Sequence, residues 1–182
     1  MGKIVLVTGG SRSGKSTYAE NIYKDRDDIL YIATAIVTDE EMKERISRHI
    51  ESRNQSWKTY EGFKNLNKAI ENFTGYGVLL DCVTIMITNL LFEKERDYEN
   101  FTKEDMDEIL GEIKEQFNKL ISEAKNRNLN LVMVTNEVGY GIVPEYKISR
   151  IYRDIAGFVN QYIASLSDEV YLVACGLPLK LK

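Results

Sequence analysis

The stretch that most constrains the fold is "VTGGSRSGKSTYAE", residues 7–20. Gly9, Gly14, Lys15 and Ser16 satisfy the spacing G-x-x-x-x-G-K-[ST], directly after the apolar run "KIVLV" and at the start of a helical pattern. Such a loop works only where a strand delivers it and a helix receives it. Its backbone N–H groups then turn inward, the helix N-terminus adds positive dipole, and the whole becomes a cradle for a phosphate chain. Gly9, Gly10, Ser11, Arg12, Ser13, Gly14, Lys15 and Ser16 are therefore the candidate phosphate-binding residues. Lys15 is placed to reach the β and γ phosphates, and the Ser16 hydroxyl to ligate Mg²⁺.

The rest of the chain repeats the strand–helix alternation. Apolar runs at 3–7, 29–33, 77–82, 129–135 and 169–174 read as strands covered on both faces, and helical spacing occupies 15–24, 39–53, 63–73, 84–94, 103–127 and 149–165. This predicts an α/β protein: one P-loop NTPase domain over residues 1–182, with a mostly parallel central sheet flanked by helices on both faces. The acidic stretch at 92–108 reads as a solvated connection leading into a long surface helix. A net charge of −4 gives no global pull toward nucleic acid or an anionic membrane, so phosphate binding has to be local. No apolar tract is long and uninterrupted enough to span a bilayer. Cys82 and Cys175 have no metal-ligand spacing and read as free thiols of a reducing cytoplasm.

A phosphate loop needs a carboxylate near its metal. Asp81, at the end of "VLLD", is the candidate second metal ligand, because strand ends of a parallel sheet converge on the loop's edge. The alternative is a strand-end aspartate that caps the helix starting near Thr84. Asn136 and Glu137 follow another strand and open on the same edge, either to hold metal, water or a substrate hydroxyl, or to tie down the "GYGIVPE" loop. That loop is itself a candidate wall for an acceptor, and it reads equally as a rigid connection.

His49 is the only histidine. In "DEEMKERISRHIESR", Met42, Ile46 and Ile50 recur at helical spacing, with Arg45 and Arg53 four residues on either side of His49 and Arg48 adjacent. Arg45, His49 and Arg53 thus line one helix edge. Cations disfavour protonation of a neighbouring imidazole, leaving an uncharged nucleophile able to attack phosphorus. The other reading is a solvated basic edge.

The segments "VTGGSRSGKSTYAE", "YIATA", "DEEMKERISRHIESR", Trp57 to Glu61 as W-x-T-x-E, "LLDCVT…TNLL", "VTNEVGYGIVPE" and "RIYRDIAGFVNQYIA…DEVYLVACGLPLKLK" together resemble the bifunctional adenosylcobinamide kinase/adenosylcobinamide-phosphate guanylyltransferase family. The resemblance implies a RecA-like fold, cytoplasmic location, a homotrimer and two reactions. ATP or GTP phosphorylates adenosylcobinamide, and GTP then donates GMP to the new phosphate through a guanylylated histidine, whose place only His49 can fill. It further implies nucleotide contacts from Ala33, Thr34 and Ala35, from Ile50, Glu51, Ser52 and Arg53, and from Glu61 and Asp81. By chemistry, the Glu61 carboxylate can accept both N1–H and N2–H of guanine, a pairing adenine cannot offer. A plain small-molecule kinase is the main competing reading. A GTP-dependent switch fits poorly: there is no N-K-x-D, and the only D-x-x-G, Asp154 to Gly157, falls inside a predicted helix.

Overall fold

The structure, a computed structural model, describes residues 2–36 and 54–182. Among the described residues, seven strands form one sheet in the order β3-β2-β4-β5-β1-β6-β7. The strands are β1 (Ile4–Thr8), β2 (Ile29–Ala33), β3 (Lys58–Glu61), β4 (Gly77–Asp81), β5 (Asn130–Val134), β6 (Glu169–Ala174) and β7 (Leu177–Lys180). The helices are α1 (Lys15–Ile22), α2 (Leu66–Ile70), α3 (Val83–Phe92), α4 (Lys103–Asn126) and α5 (Lys147–Leu166). All strand pairs are parallel except the β6–β7 hairpin.

The continuous apolar runs are explained by cover on both faces. In β1, Ile4 and Leu6 enter one buried cluster while Val5 and Val7 enter the other; Leu131 and Met133 against Val132 and Val134 divide β5 in the same way. The first cluster packs under α2, α3, α4 and α5, and the second packs under α1 with Tyr23 and Trp57. The expected helices on both faces are therefore present.

Helix α4 starts where the acidic stretch predicts, at a capping box in which the Thr102 hydroxyl accepts from Asp105 N–H and the Asp105 carboxylate accepts from Thr102 N–H. It is more than a surface helix, since Ile109, Ile113, Phe117 and Leu120 are fully buried. Two strands lack the expected signal. β3 reads "KTYE" and is exposed throughout, while β7 reads "LPLK", with a proline at the sheet edge. Both are edge strands, which need no two-sided apolar pattern. The D-x-x-G at Asp154 lies within α5, as expected. The helix predicted over 39–53 lies outside the described residues.

Candidate active site

The phosphate loop leaves β1 and closes on α1 by backbone geometry. Gly14 caps the helix at φ 92°, in the left-handed region, and no side chain caps the helix N-terminus. A Cβ on Gly9 would stand 2.5 Å from the Val173 carbonyl oxygen and 2.6 Å from Ser13 Oγ, so only glycine lets the loop lie this close to β6. Ser13 N–H donates to the Gly10 carbonyl at 3.2 Å. Ser13 Oγ is buried and finds no hydrogen-bond partner among the described residues. The Lys15 ammonium donates to the Gly10 carbonyl at 3.1 Å, and the residue is only 9% exposed. Burial of that stem aims the cation along the loop rather than into solvent.

The opposite side of the loop rests on the β6–β7 turn. Gly176 N–H donates to the Ser13 carbonyl at 2.8 Å, and a Cβ on Gly14 would meet Gly176 Cα at 3.0 Å. Cys175 (φ 53°) and Gly176 (φ 78°) both have positive φ, as a two-residue hairpin of type I′ requires. The contact rests on the "CGLP" segment, whose role is not evident from its letters alone.

Strand ends bring the remaining candidates to the same edge. Ala33 pairs with Asp81 on one side and with Glu61 on the other, so three segments far apart in sequence lie side by side. Asp81 is two strand positions from β1, a separation of about 10 Å. Its carboxylate accepts a 3.3 Å hydrogen bond from the Tyr31 hydroxyl. It does not cap the next helix: α3 has Cys82 as N-cap and no side-chain cap bond. The Asp81–Cys82 peptide is cis. Burial, and then the negative charge of Asp81, push the Cys82 thiol up, so it stays neutral beside the carboxylate.

Asn136 and Glu137 do tie the edge together. Thr8 Oγ1 donates to Glu137 Oε1 at 2.6 Å, and Glu137 N–H donates to the Gly9 carbonyl at 3.1 Å. Asn136 Nδ2 donates to Thr84 Oγ1 at 2.6 Å, and its carbonyl accepts from Asn160 Nδ2 at 3.1 Å. A second set of bonds holds Thr34, which is fully buried: its hydroxyl donates to the Cys82 carbonyl and accepts from Cys82 N–H, while its own carbonyl accepts from Asn89 Nδ2 at 2.7 Å. Buried polar groups satisfied this completely hold one arrangement. Sequence reasoning missed Thr34's anchors, Asn160 and the Gly176 contact, because each is a lone polar or small residue with no local pattern.

Gly9 to Ser16, Ala33 to Ala35, Glu61 and Asp81 thus share one edge of the sheet. His49, Ile50, Glu51, Ser52 and Arg53, with Arg45 and Arg48, lie outside the described residues. Residues 5–181 match the family described as cobinamide kinase/cobinamide phosphate guanyltransferase. The chain belongs to this family. It is 42% identical to the bifunctional adenosylcobalamin biosynthesis protein CobU of Escherichia coli over 183 aligned positions, covering 98% of this chain and 99% of that protein. Identity and coverage are the same for CobU of Salmonella typhimurium, and the CobP protein of Pseudomonas aeruginosa is 35% identical across 97% of this chain and 96% of its own length. Among solved structures, a KaiC-like protein from Pyrococcus horikoshii aligns with a TM-score of 0.47 and 14% identity over 93% of this chain and 70% of that one. As a member of the cobinamide kinase family the chain is an enzyme of nucleotide-dependent transfer, and among the described residues no helix is long and apolar enough to cross a membrane.

Proposed function

We propose that this enzyme carries out two successive reactions on adenosylcobinamide. In the first, ATP or GTP gives its γ-phosphoryl group to the aminopropanol hydroxyl; the new P–O bond forms as the bond to the nucleoside diphosphate breaks, and the hydroxyl proton passes to a carboxylate of the strand-end edge. In the second, His49 attacks the α-phosphorus of GTP and pyrophosphate leaves. The phosphate of adenosylcobinamide phosphate then attacks that same phosphorus, the P–N bond breaks, and adenosyl-GDP-cobinamide forms.

The observation that carries this reading is the phosphate loop, with Lys15 buried along it and Asp81 on the same edge. Phosphoryl transfer asks a protein chiefly for positioning and for neutralisation of charge. The loop amides and the uncapped start of α1 supply fixed positive dipoles, and Lys15 supplies a full positive charge held along the loop. Ser16 Oγ and the Asp81 carboxylate would hold Mg²⁺, whose charge there would neutralise phosphate oxygens. This all-oxygen pair suits a hard cation that takes one or two protein ligands and completes its shell with phosphate and water. Glu137 is already engaged by Thr8, so Asp81, with its longer 3.3 Å contact, is the freer of the two carboxylates.

For the second reaction, a covalent relay divides one displacement between two charged partners into two easier ones. Arg45, Arg48 and Arg53 are the cations that sequence spacing places around His49 to stabilise the pentacoordinate charge. Glu61, beside Ala33 at the sheet edge, reads the guanine N1–H and N2–H. The enzyme works as a homotrimer, which light scattering after gel filtration tests directly.

The deciding experiment is incubation with GTP labelled at the α-phosphate. The wild-type chain acquires an acid-labile, alkali-stable label, and His49→Asn acquires none while keeping most of its phosphorylation of adenosylcobinamide. An unlabelled wild-type chain that still phosphorylates would instead identify a simple kinase.

A further inference from the structure

The loop between β5 and α5 exposes an unusual concentration of apolar surface. Ile142 is 93% exposed, the highest value for a large apolar side chain among the described residues, and Tyr140 (76%), Tyr146 (71%) and Val143 (67%) lie within the same seven-residue stretch. The loop is nevertheless held at both ends. Val138 and Ile148 pack on the main core cluster, Glu137 N–H is bonded to the Gly9 carbonyl, and the Arg150 guanidinium donates to the carbonyls of Pro144 (2.9 Å) and Glu145. Its apolar side chains are therefore presented by a built scaffold. Solvated side chains of this size are normally placed where something covers them.

Position decides what covers them. The loop begins at Glu137, which touches both Thr8 and Gly9, so it rises directly from the phosphate loop on the β5 side, the side that faces Asp81. The other exposed apolar row, Leu177, Leu179 and Leu181, lies at the far edge of the sheet and runs away from the strand-end edge, because β7 is antiparallel to β6. Four side chains also fall short of the about 800 Å² per partner that a stable protein interface buries. They suit a ligand of ring size. Cβ atoms added at Gly139 and Gly141 would meet nothing within 4 Å, so a flat ring can approach the backbone between the large side chains.

We propose that residues 140–146 are the platform on which the bulk of the acceptor lies: a rigid macrocycle fringed with methyl and carboxamide groups, its apolar flank on Ile142 and Val143 and its amides facing the hydroxyls of Tyr140 and Tyr146. This rests on the reading of the enzyme as an adenosylcobinamide kinase. The acceptor's hydroxyl then reaches the edge between Gly9 and Asp81 while the ring stays outside it. Binding energy collected far from the reacting oxygen serves to orient it.

The test is the double variant Ile142→Asp/Val143→Asp, with Tyr140→Ser as an independent second variant, in the full-length enzyme. The Michaelis constant for adenosylcobinamide should rise roughly tenfold or more, as expected for losing one or two apolar contacts. The constant for ATP, the unfolding temperature and the mass in solution should not move. Equilibrium dialysis of adenosylcobinamide, read by its visible absorbance, should show the same loss of affinity without turnover. An acceptor constant within twofold of wild type overturns the inference. So does a change in oligomeric mass, which would assign the patch to a second copy of the chain. A wild-type enzyme that fails to phosphorylate adenosylcobinamide would overturn the proposed function and this inference together, whereas an active wild type with unaffected variants overturns the inference alone.

Discussion

Two loops flank the phosphate loop, and they are built in opposite ways. On the β6 side, the turn at Cys175 and Gly176 comes as close as backbone can, with one N–H bond to Ser13 and with glycines where a Cβ would collide. On the β5 side, Glu137 is bonded to Thr8 and to the Gly9 carbonyl, and the residues that follow it, 140–146, project large apolar side chains outward. The first is a wall, and its tolerance for change is small because its contacts are backbone atoms that cannot rotate away. The second is a platform, where side chains can change without disturbing the fold. A substrate on this edge is therefore framed by one rigid boundary and one exchangeable boundary. If the acceptor lies on residues 140–146 as proposed, this arrangement separates nucleotide binding from acceptor choice.

The sharpest way to break that separation is at the cation between the two. Lys15→Ala should lower the rate of phosphoryl transfer by about a hundredfold to a thousandfold, the usual loss for one preorganised donor to developing charge. The acceptor affinity measured by dialysis should be unchanged; a parallel loss would show that the platform is not independent. Next in size is a pair of glycine substitutions. Gly9→Ala sets a Cβ against the Val173 carbonyl and should weaken nucleotide binding at least tenfold with a clear drop in unfolding temperature. Gly141→Ala has open space and should change stability by less than about 0.5 kcal/mol. Calorimetric titration with a non-hydrolysable nucleotide reads the first effect, and thermal melts read both.

A subtler change tests the wall through conformation alone. Gly176 has φ 78° and room for a Cβ, so Gly176→Ala should cost about 1 kcal/mol of backbone strain and raise the Michaelis constant for nucleotide, while Gly176→Asn, which tolerates the left-handed region, should recover most of it. Equal behaviour of the two variants would show that the turn does not hold the phosphate loop. The smallest effect lies at the far end of the wall. The Lys3 ammonium, bonded at 2.6 Å, and then the Tyr171 hydroxyl hold the Glu169 carboxyl down from 4.5 to about 2. A depressed carboxylate stabilises the fold above its ordinary value, and that contribution is lost as pH falls from 4.5 toward 2. Lys3 is well exposed, so Lys3→Ala should lower the unfolding temperature by only about 2 °C at pH 7, with the difference closing near pH 2.

Particular elements show how much of this was legible in advance. β1, β2, β4, β5 and β6 are visible as apolar runs because both of their faces are covered, and the loop from Gly9 to Ser16 is visible because its chemistry demands fixed spacing. β3 and β7 escape notice because an edge strand with exposed side chains, or one carrying Pro178, has no such signature. Asp81 and Glu137 are legible as strand-end carboxylates, but which of them is engaged by Thr8 and which by Tyr31 is not. The proximity of Glu61 to Ala33, and of Gly176 to Ser13, has no trace in either local segment.

The order of amino acids by itself determined the local elements and the phosphate loop, because hydrophobic period, glycine placement and capping act over a few residues. Only the tertiary structure decided the strand order, and with it which loop became a wall and which a platform. Those choices rest on contacts such as Gly176 to Ser13 and Glu137 to Thr8, between residues more than a hundred positions apart. Such pairings form because the two faces of one sheet are buried together, and no short stretch of the chain carries that information.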